Sequence, residues 1–185
     1  MKHTKIAARY GKALFDLALE KNQLDEVYND MILVDQVAST SKELNLVLKN
    51  PVIRTDKKKA VLTALFLNKV SVMVANFLTL LITKNRSADI AIISEEFISL
   101  YKVHKNIKTV VLSSAKALDV SLKNSIVSMV KDAYKCDVDL KEVLKPELIG
   151  GYVLKIDDNL YDASILSKIN ALNREFNVNI YVRGY

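Results

Sequence analysis

The chain has 185 residues, 50% of them hydrophobic, with four glycines, two prolines and a formal net charge of +6. So apolar a composition supports a buried core and excludes a disordered chain, and the scarcity of turn residues favours a helix-rich architecture over a turn-dense sheet. The lone cysteine, Cys136, rules out an intrachain disulfide and suits a reducing compartment. The apolar runs fall far short of the ~20 residues that span a bilayer, and no signal peptide is visible, so work at a membrane would go through partners. The positive charge is spread among acids, apart from Lys57-Lys58-Lys59.

The first segment, Ile6 to Leu19, sets the theme. On a helix at roughly 100° per residue, Arg9, Lys12, Asp16 and Glu20 share a polar arc of roughly 80°. The remaining circumference is apolar, about twice the stripe of an ordinary surface helix. Thr4 stands where an N-cap would. A second amphipathic stretch runs from Leu24 to Val37, with Leu24, Val27, Met31, Val34 and Val37 or Ala38 at helical spacing. Ser41 is placed to cap a short third helix, Lys42 to Leu48, which Asn50-Pro51 terminates. Thr55 is placed to cap a fourth, Asp56 to Leu67, with Asp56 at the positive end of its dipole. Lys57-Lys58-Lys59 reads as a solvated face of this helix.

The fifth helix, Val70 to Thr83, carries no charge before Lys84. Asn76, Thr79 and Thr83 make one weakly polar strip on it. A chain of this size buries one such helix fully; two of them suggest that some apolar surface belongs to a partner. Ala88 to His104 is the sixth helix, with Ile92, Ile93, Phe97, Leu100, Tyr101 and His104 on one side.

Beyond Lys105 the pattern changes. Thr109 to Ser113 is β-branched and strand-like. Ser121 to Lys135 is helical, with Leu122, Ile126, Met129, Val130 and Ala133 at helical spacing. Cys136 to Val143 alternates like a strand with one wet face, and a buried, inert Cys136 is expected at its start. Tyr152 to Ile156, Asp157-Asp158-Asn159 and Leu160 to Asp162 read as a hairpin. Ser164 caps a last helix, Ile165 to Phe176, with Ile165, Leu166, Ile169 and Leu172 inward. Val178 to Val182 is a short strand-like run. The predicted fold is mostly α with a small α+β part: a six-helix bundle over residues 1–105 and a small α+β domain over 106–185.

Catalytic chemistry finds no residues here. No phosphate-binding glycine loop is present. Glu95-Glu96 and Asp157-Asp158 are adjacent pairs that do not converge on one substrate. His3 and His104 sit on different elements without a second ligand at metal-binding spacing. No catalytic, cofactor or metal residue is therefore assigned.

A resemblance runs through the chain in order. Ala8-Arg9-Tyr10-Gly11-Lys12-Ala13-Leu14-Phe15-Asp16-Leu17-Ala18 resembles the opening signature of the delta subunit of bacterial F-type ATP synthase, a family related to the mitochondrial oligomycin-sensitivity-conferring protein. Asn50-Pro51, Asn76-Phe77-Leu78, Asn85-Arg86, Ser114-Ala115 with Leu118 and Ser121, and Pro146-Glu147-Leu148-Ile149-Gly150-Gly151 with Ile156, Asp157 and Asp162-Ala163-Ser164 continue it. The order and spacing make the match specific. Ala163 stands where the family commonly has glycine and Gly11 where it has alanine; both are small-residue exchanges.

The resemblance implies a non-catalytic stator subunit of the F1 sector, one copy in a heteromeric complex. It would lie at the cytoplasmic face of the bacterial inner membrane without inserting into it. The helical domain would hold the N-terminal helix of an alpha subunit, and the C-terminal domain the ends of the peripheral-stalk b subunits. The head would then be kept from turning with the rotor. The alpha-binding groove of the family lies between the first and fifth helices, the two over-wide ones. The residues flanking their polar arcs, Ile6, Tyr10, Ala13 and Leu17 on the first and Met73, Asn76 and Leu80 on the fifth, are the expected groove. Gly150, Gly151, Asp162 and Ser164 form the motif of the C-terminal domain, where a glycine pair permits a positive-φ turn or a close strand approach and Ser164 caps a helix. The basic charge leaves one alternative, a nucleic-acid-binding helical module of antitermination type. No arginine-rich strip or aromatic–lysine interleaving supports it.

Overall fold

The computed structural model describes residues 2–66, 69–116, 118–157 and 159–177. They divide into two compact units, Met1–His104 and Lys105–Tyr185. The run Val178 to Val182 lies outside the described residues.

The first unit holds α1 (Lys2–Glu20), α2 (Leu24–Thr40), α3 (Lys42–Lys49), α4 (Thr55–Phe66), α5 (Val72–Thr83) and, after a 3₁₀ turn at Ser87–Asp89, α6 (Ile90–His104). α1 begins at Lys2, so Thr4 lies within the helix rather than at the N-cap position before it. The core row of α1 is Ala7, Leu14 and Ala18, all essentially inaccessible. This row packs on α6, where Gly11 lets the helices close: a Cβ there would sit 3.2 Å from Glu96 Cγ. α2 contributes Leu24, Val27, Met31, Val34 and Ala38, the last settling the Val37-or-Ala38 choice. Phe97, Leu14 and Met31 are among the largest fully buried side chains, each stabilising the fold by roughly 1.5–3 kcal/mol. On α6 the buried set is Ile90, Ile93, Ser94, Phe97 and Tyr101. Ile92 and His104, expected inside, are exposed. The His104 ring meets Phe15 edge-on, 5.5 Å between centroids. Tyr101 stacks on Tyr28 at 3.7 Å and donates its hydroxyl to Asp25 at 2.7 Å. Burial and that bond raise its pKa to about 12.

Local caps set the boundaries. Ser41 Oγ accepts from the Leu44 N–H at 3.2 Å, starting α3. Asn50 is extended (ψ 117°) before Pro51, as the proline ring demands. α5 starts two residues later than the apolar pattern suggests, because Ser71 adopts the N-cap conformation and its Oγ accepts from Val74 at 3.5 Å. The α5–α6 turn passes through Asn85 in the left-handed region, φ 56°.

Lys58 departs from the expected solvated face. It is buried, and its ammonium donates to the Leu48 carbonyl and to Ser87 Oγ. Of three adjacent lysines on one helix, only part can face solvent once the helix is packed, and the middle one turns in.

The second unit is built on β1 (Ile107–Ser114), α7 (Val120–Tyr134), β2 (Asp137–Leu144), a 3₁₀ turn at Pro146–Leu148, β3 (Tyr152–Ile156), β4 (Asn159–Asp162) and α8 (Ile165–Asn177). The sheet order is β2-β1-β3-β4. β1 and β2 are parallel with α7 as the crossover, while β3 pairs antiparallel with β1 and β4 with β3. Val110 thus has Leu140 on one side and Ile156 on the other. Val110, Leu112, Leu154 and Ile156 form the core with Ile126 and Val130 of α7, flanked by Val138 and Leu140. Cys136 is buried with a free thiol.

The α7 row divides: Ile126 and Val130 are buried, whereas Leu122 and Ala133 are exposed and Met129 is 65% exposed. The α8 row, read as inward, points outward. On α8, Ile165, Ile169 and Leu172 are exposed and Leu166 is half-buried. Helical spacing identifies an apolar face without saying whether this chain covers it.

Candidate functional site

The first unit contains an open cleft of about 600 Å³ between the end of α1 and α5. Leu17 and Lys21 bound it on one side, and Met73, Asn76, Phe77 and Leu80 on the other. Gln23 of the α1–α2 turn, Glu26 at the start of α2 and the lead-in Val70-Ser71 complete the lining. Leu17 is 40% and Leu80 44% exposed. α5 is apolar on both sides: Val74, Leu78, Leu81 and Ile82 are buried, while Met73, Phe77 and Leu80 face the cleft. A wall of mostly apolar and amide side chains, with Lys21 and Glu26 as its charged members, matches what an amphipathic helix needs from a groove.

Of the seven expected groove residues, Leu17, Met73, Asn76 and Leu80 line the cleft. Ile6, Tyr10 and Ala13 do not; the first two are half-buried and Ala13 is exposed. They share a helical face with Leu17 but lie nearer the start of α1. Phe77, Val70 and Lys21 were not among the expected lining. Phe77 was legible as one more apolar position of an uncharged, mostly apolar helix. The other two come from the turns that bracket the cleft, which periodicity does not orient.

In the second unit, Gly151 has φ 76°, and a Cβ on it would collide with the Ala163 carbonyl. At Gly150 a Cβ would meet only the flexible Ile165 side chain. Ile149, at φ 63°, sits in a tight three-residue turn closed by the Gly150 N–H on the Leu148 carbonyl at 2.6 Å. Asp162 Oδ1 accepts from the Ser164 N–H at 2.8 Å, and Ser164 Oγ accepts from Ser167 at 3.1 Å, so the pair starts α8. These bonds from Ser164 hold the Asp162 carboxyl below its usual pKa. A second apolar hollow lies between α7 and the β3–β4 hairpin, with Met129, Ala133, Leu160 and Tyr161 on its rim.

Among the described residues no group of three or more His, Cys, Asp or Glu is placed to hold a metal ion, and no helix is long and apolar enough to cross a membrane. Apolar clefts and bare helical rows are what a docking protein of a larger assembly presents. Comparison with known proteins gives that class a family. The family model described as "ATP synthase delta (OSCP) subunit" matches residues 6–176, and the chain belongs to this family. It is 37% identical to the ATP synthase subunit delta of Cytophaga hutchinsonii, over 95% of this chain and 96% of that one. It is 31% identical to that of Christiangramia forsetii, over 98% of each. Its fold is similar to a chain of the Toxoplasma gondii mitochondrial ATP synthase hexamer, with a TM-score of 0.69 at 24% identity, over 92% of this chain and 96% of that one. The chain is thus a non-catalytic stator component of the F1 sector, linking F1 to the peripheral stalk in ATP synthesis. The same matches lend nothing to the nucleic-acid alternative.

Proposed function

We propose that the first unit, a six-helix bundle, clamps the N-terminal helix of an alpha subunit in the cleft between α1 and α5. The small α+β unit would hold the C-terminal ends of the b subunits. One copy would thus tie the head to the stalk at the cytoplasmic face of the bacterial inner membrane. The observation that carries the reading is the cleft itself: Leu17 and Leu80, 40% and 44% exposed, line it from two helices whose core rows are buried. Leu17, Met73, Asn76 and Leu80 would touch the bound helix. Ile6, Tyr10 and Ala13 would extend the contact along α1. The outward rows of α7 and α8 favour the stalk assignment for the second unit, because unpaired apolar rows at helical spacing suit helical partners.

The test is assembly. The chain is mixed with an alpha–beta head that is intact, or that lacks roughly the first 20 residues of alpha, enough for a 30 Å helix. Co-elution with the intact head alone supports the clamp. Equal co-elution with both rejects it.

A further inference from the structure

We propose that Asp30 is a positioning residue for the cleft: from α2 it completes the N-terminal cap of α5 and so lets the first turn of α5 serve as an apolar wall. The inference rests on the reading of the cleft as the alpha-helix site.

A helix start commonly satisfies two donors reciprocally. The N-cap hydroxyl accepts from the third helical N–H, and a Glu or Gln at that third position reaches back to the N-cap N–H. In α5 the first half is present, as Ser71 Oγ faces the Val74 N–H. The second half is missing locally, because the third position is Val74, fully buried in the core, and the first turn carries no acid. A glutamate there would bury a charge. The missing acceptor comes from another helix: Asp30 Oδ2 takes the Ser71 N–H at 2.7 Å, across 41 residues of sequence. The carboxylate also sits at the positive end of the α5 dipole, where negative charge is favoured. Asp30 lies one turn beyond Glu26, which itself lines the cleft. The residues held by this cap, Ser71, Val72 and Met73, all line the cleft.

The test uses the full chain, titrated calorimetrically with a peptide of the first ~20 residues of an ATP synthase alpha subunit, and NMR exchange of the Ser71 amide. Asp30→Ala is expected to weaken binding about tenfold and to speed Ser71 exchange by a similar factor. Asp30→Asn keeps an acceptor oxygen and is expected to restore both to within about threefold. Asp35→Ala is the control. It lies on the same helix but faces Ser94 of α6 at 3.3 Å, and it should change neither readout. Wild-type affinity in Asp30→Ala, or an Asp30→Asn variant as weak as Asp30→Ala, would overturn the proposal. Where Asp30→Ala does not fold, Asp30→Leu is read instead: it fills a similar volume but offers no acceptor, so it is expected to show the same roughly tenfold weaker binding and faster Ser71 exchange, and wild-type values for both would overturn the proposal. If the wild-type chain ignores the peptide, the alpha-helix reading fails, and Ser71 exchange still decides the cap: unchanged exchange in Asp30→Ala sinks it.

Discussion

Lys58 Nζ lies 3.0 Å from Ser87 Oγ, and both groups converge on the Leu48 carbonyl at 2.7 Å. Three segments (the end of α3, the first turn of α4 and the turn before α6) are thereby tied at one buried point. An unmade buried hydrogen bond costs about 1–3 kcal/mol, and the lysine stem adds packing. Lys58→Ala is expected to lower the unfolding free energy by about 2–3 kcal/mol, and Lys58→Met, which keeps the stem, by about 1 kcal/mol. Urea unfolding measures both. A Lys58→Ala variant as stable as wild type would show the tie to be unimportant.

The two adjacent glycines should behave differently. Gly151 needs a positive φ and has the Ala163 carbonyl where a Cβ would go. Gly151→Ala is expected to cost about 2 kcal/mol or more. Gly150→Ala meets only the Ile165 side chain, which is half in solvent and free to rotate, so it is expected to cost under about 1 kcal/mol. Thermal melts of the pair give the order, and the reverse order would contradict the turn geometry.

Asp162 makes stability depend on pH. Its carboxyl is held below the ordinary 3.8 by the bonds from Ser164. A group lowered in the folded state binds fewer protons there than in the unfolded chain. Its contribution is therefore complete above the unfolded pKa and is lost as pH falls through the folded one. The melting difference between wild type and Asp162→Asn should be flat above about pH 5 and shrink toward acid. A difference that grows on acidification would contradict the assignment.

The bare row of α8 predicts function without stability. Ile169 is 42% exposed, so Ile169→Asp should leave the free chain within about 0.5 kcal/mol of wild type. It should weaken co-sedimentation with a fragment from the C-terminal end of the stalk's b protein by about tenfold or more. Unchanged binding would remove α8 from the stalk contact.

Much of the fold could be read from spacing. The Leu24–Ala38 row, the Ser41 and Ser164 caps, the Asn50-Pro51 stop and the hairpin around Asp157 are local signals, and local physics decides them. Tertiary choices were less legible. Nothing in Lys57-Lys58-Lys59 marks the middle lysine for burial, because its acceptors, Leu48 and Ser87, lie 10 and 29 residues away. Met129 and Ile169 satisfy helical spacing, but spacing cannot say which protein covers a face. In the cleft, α5 disclosed its wall because the helix carries no charge and is mostly apolar. On α1 a continuous stripe, Ile6 to Leu17, gave no sign that only its last member reaches the cleft. The Asp30–Ser71 bond joins distant residues and left no trace in either segment.

The central claim is that the α1–α5 cleft binds an apolar helix face. Calorimetric titration of the full chain with the alpha N-terminal peptide, at low and high salt, tests it most directly, with Leu80→Asp as the variant. The account predicts one-to-one binding that persists at high salt, since apolar contacts are not screened, and that falls at least about tenfold in Leu80→Asp. Binding that vanishes with salt, or that Leu80→Asp leaves intact, would contradict it.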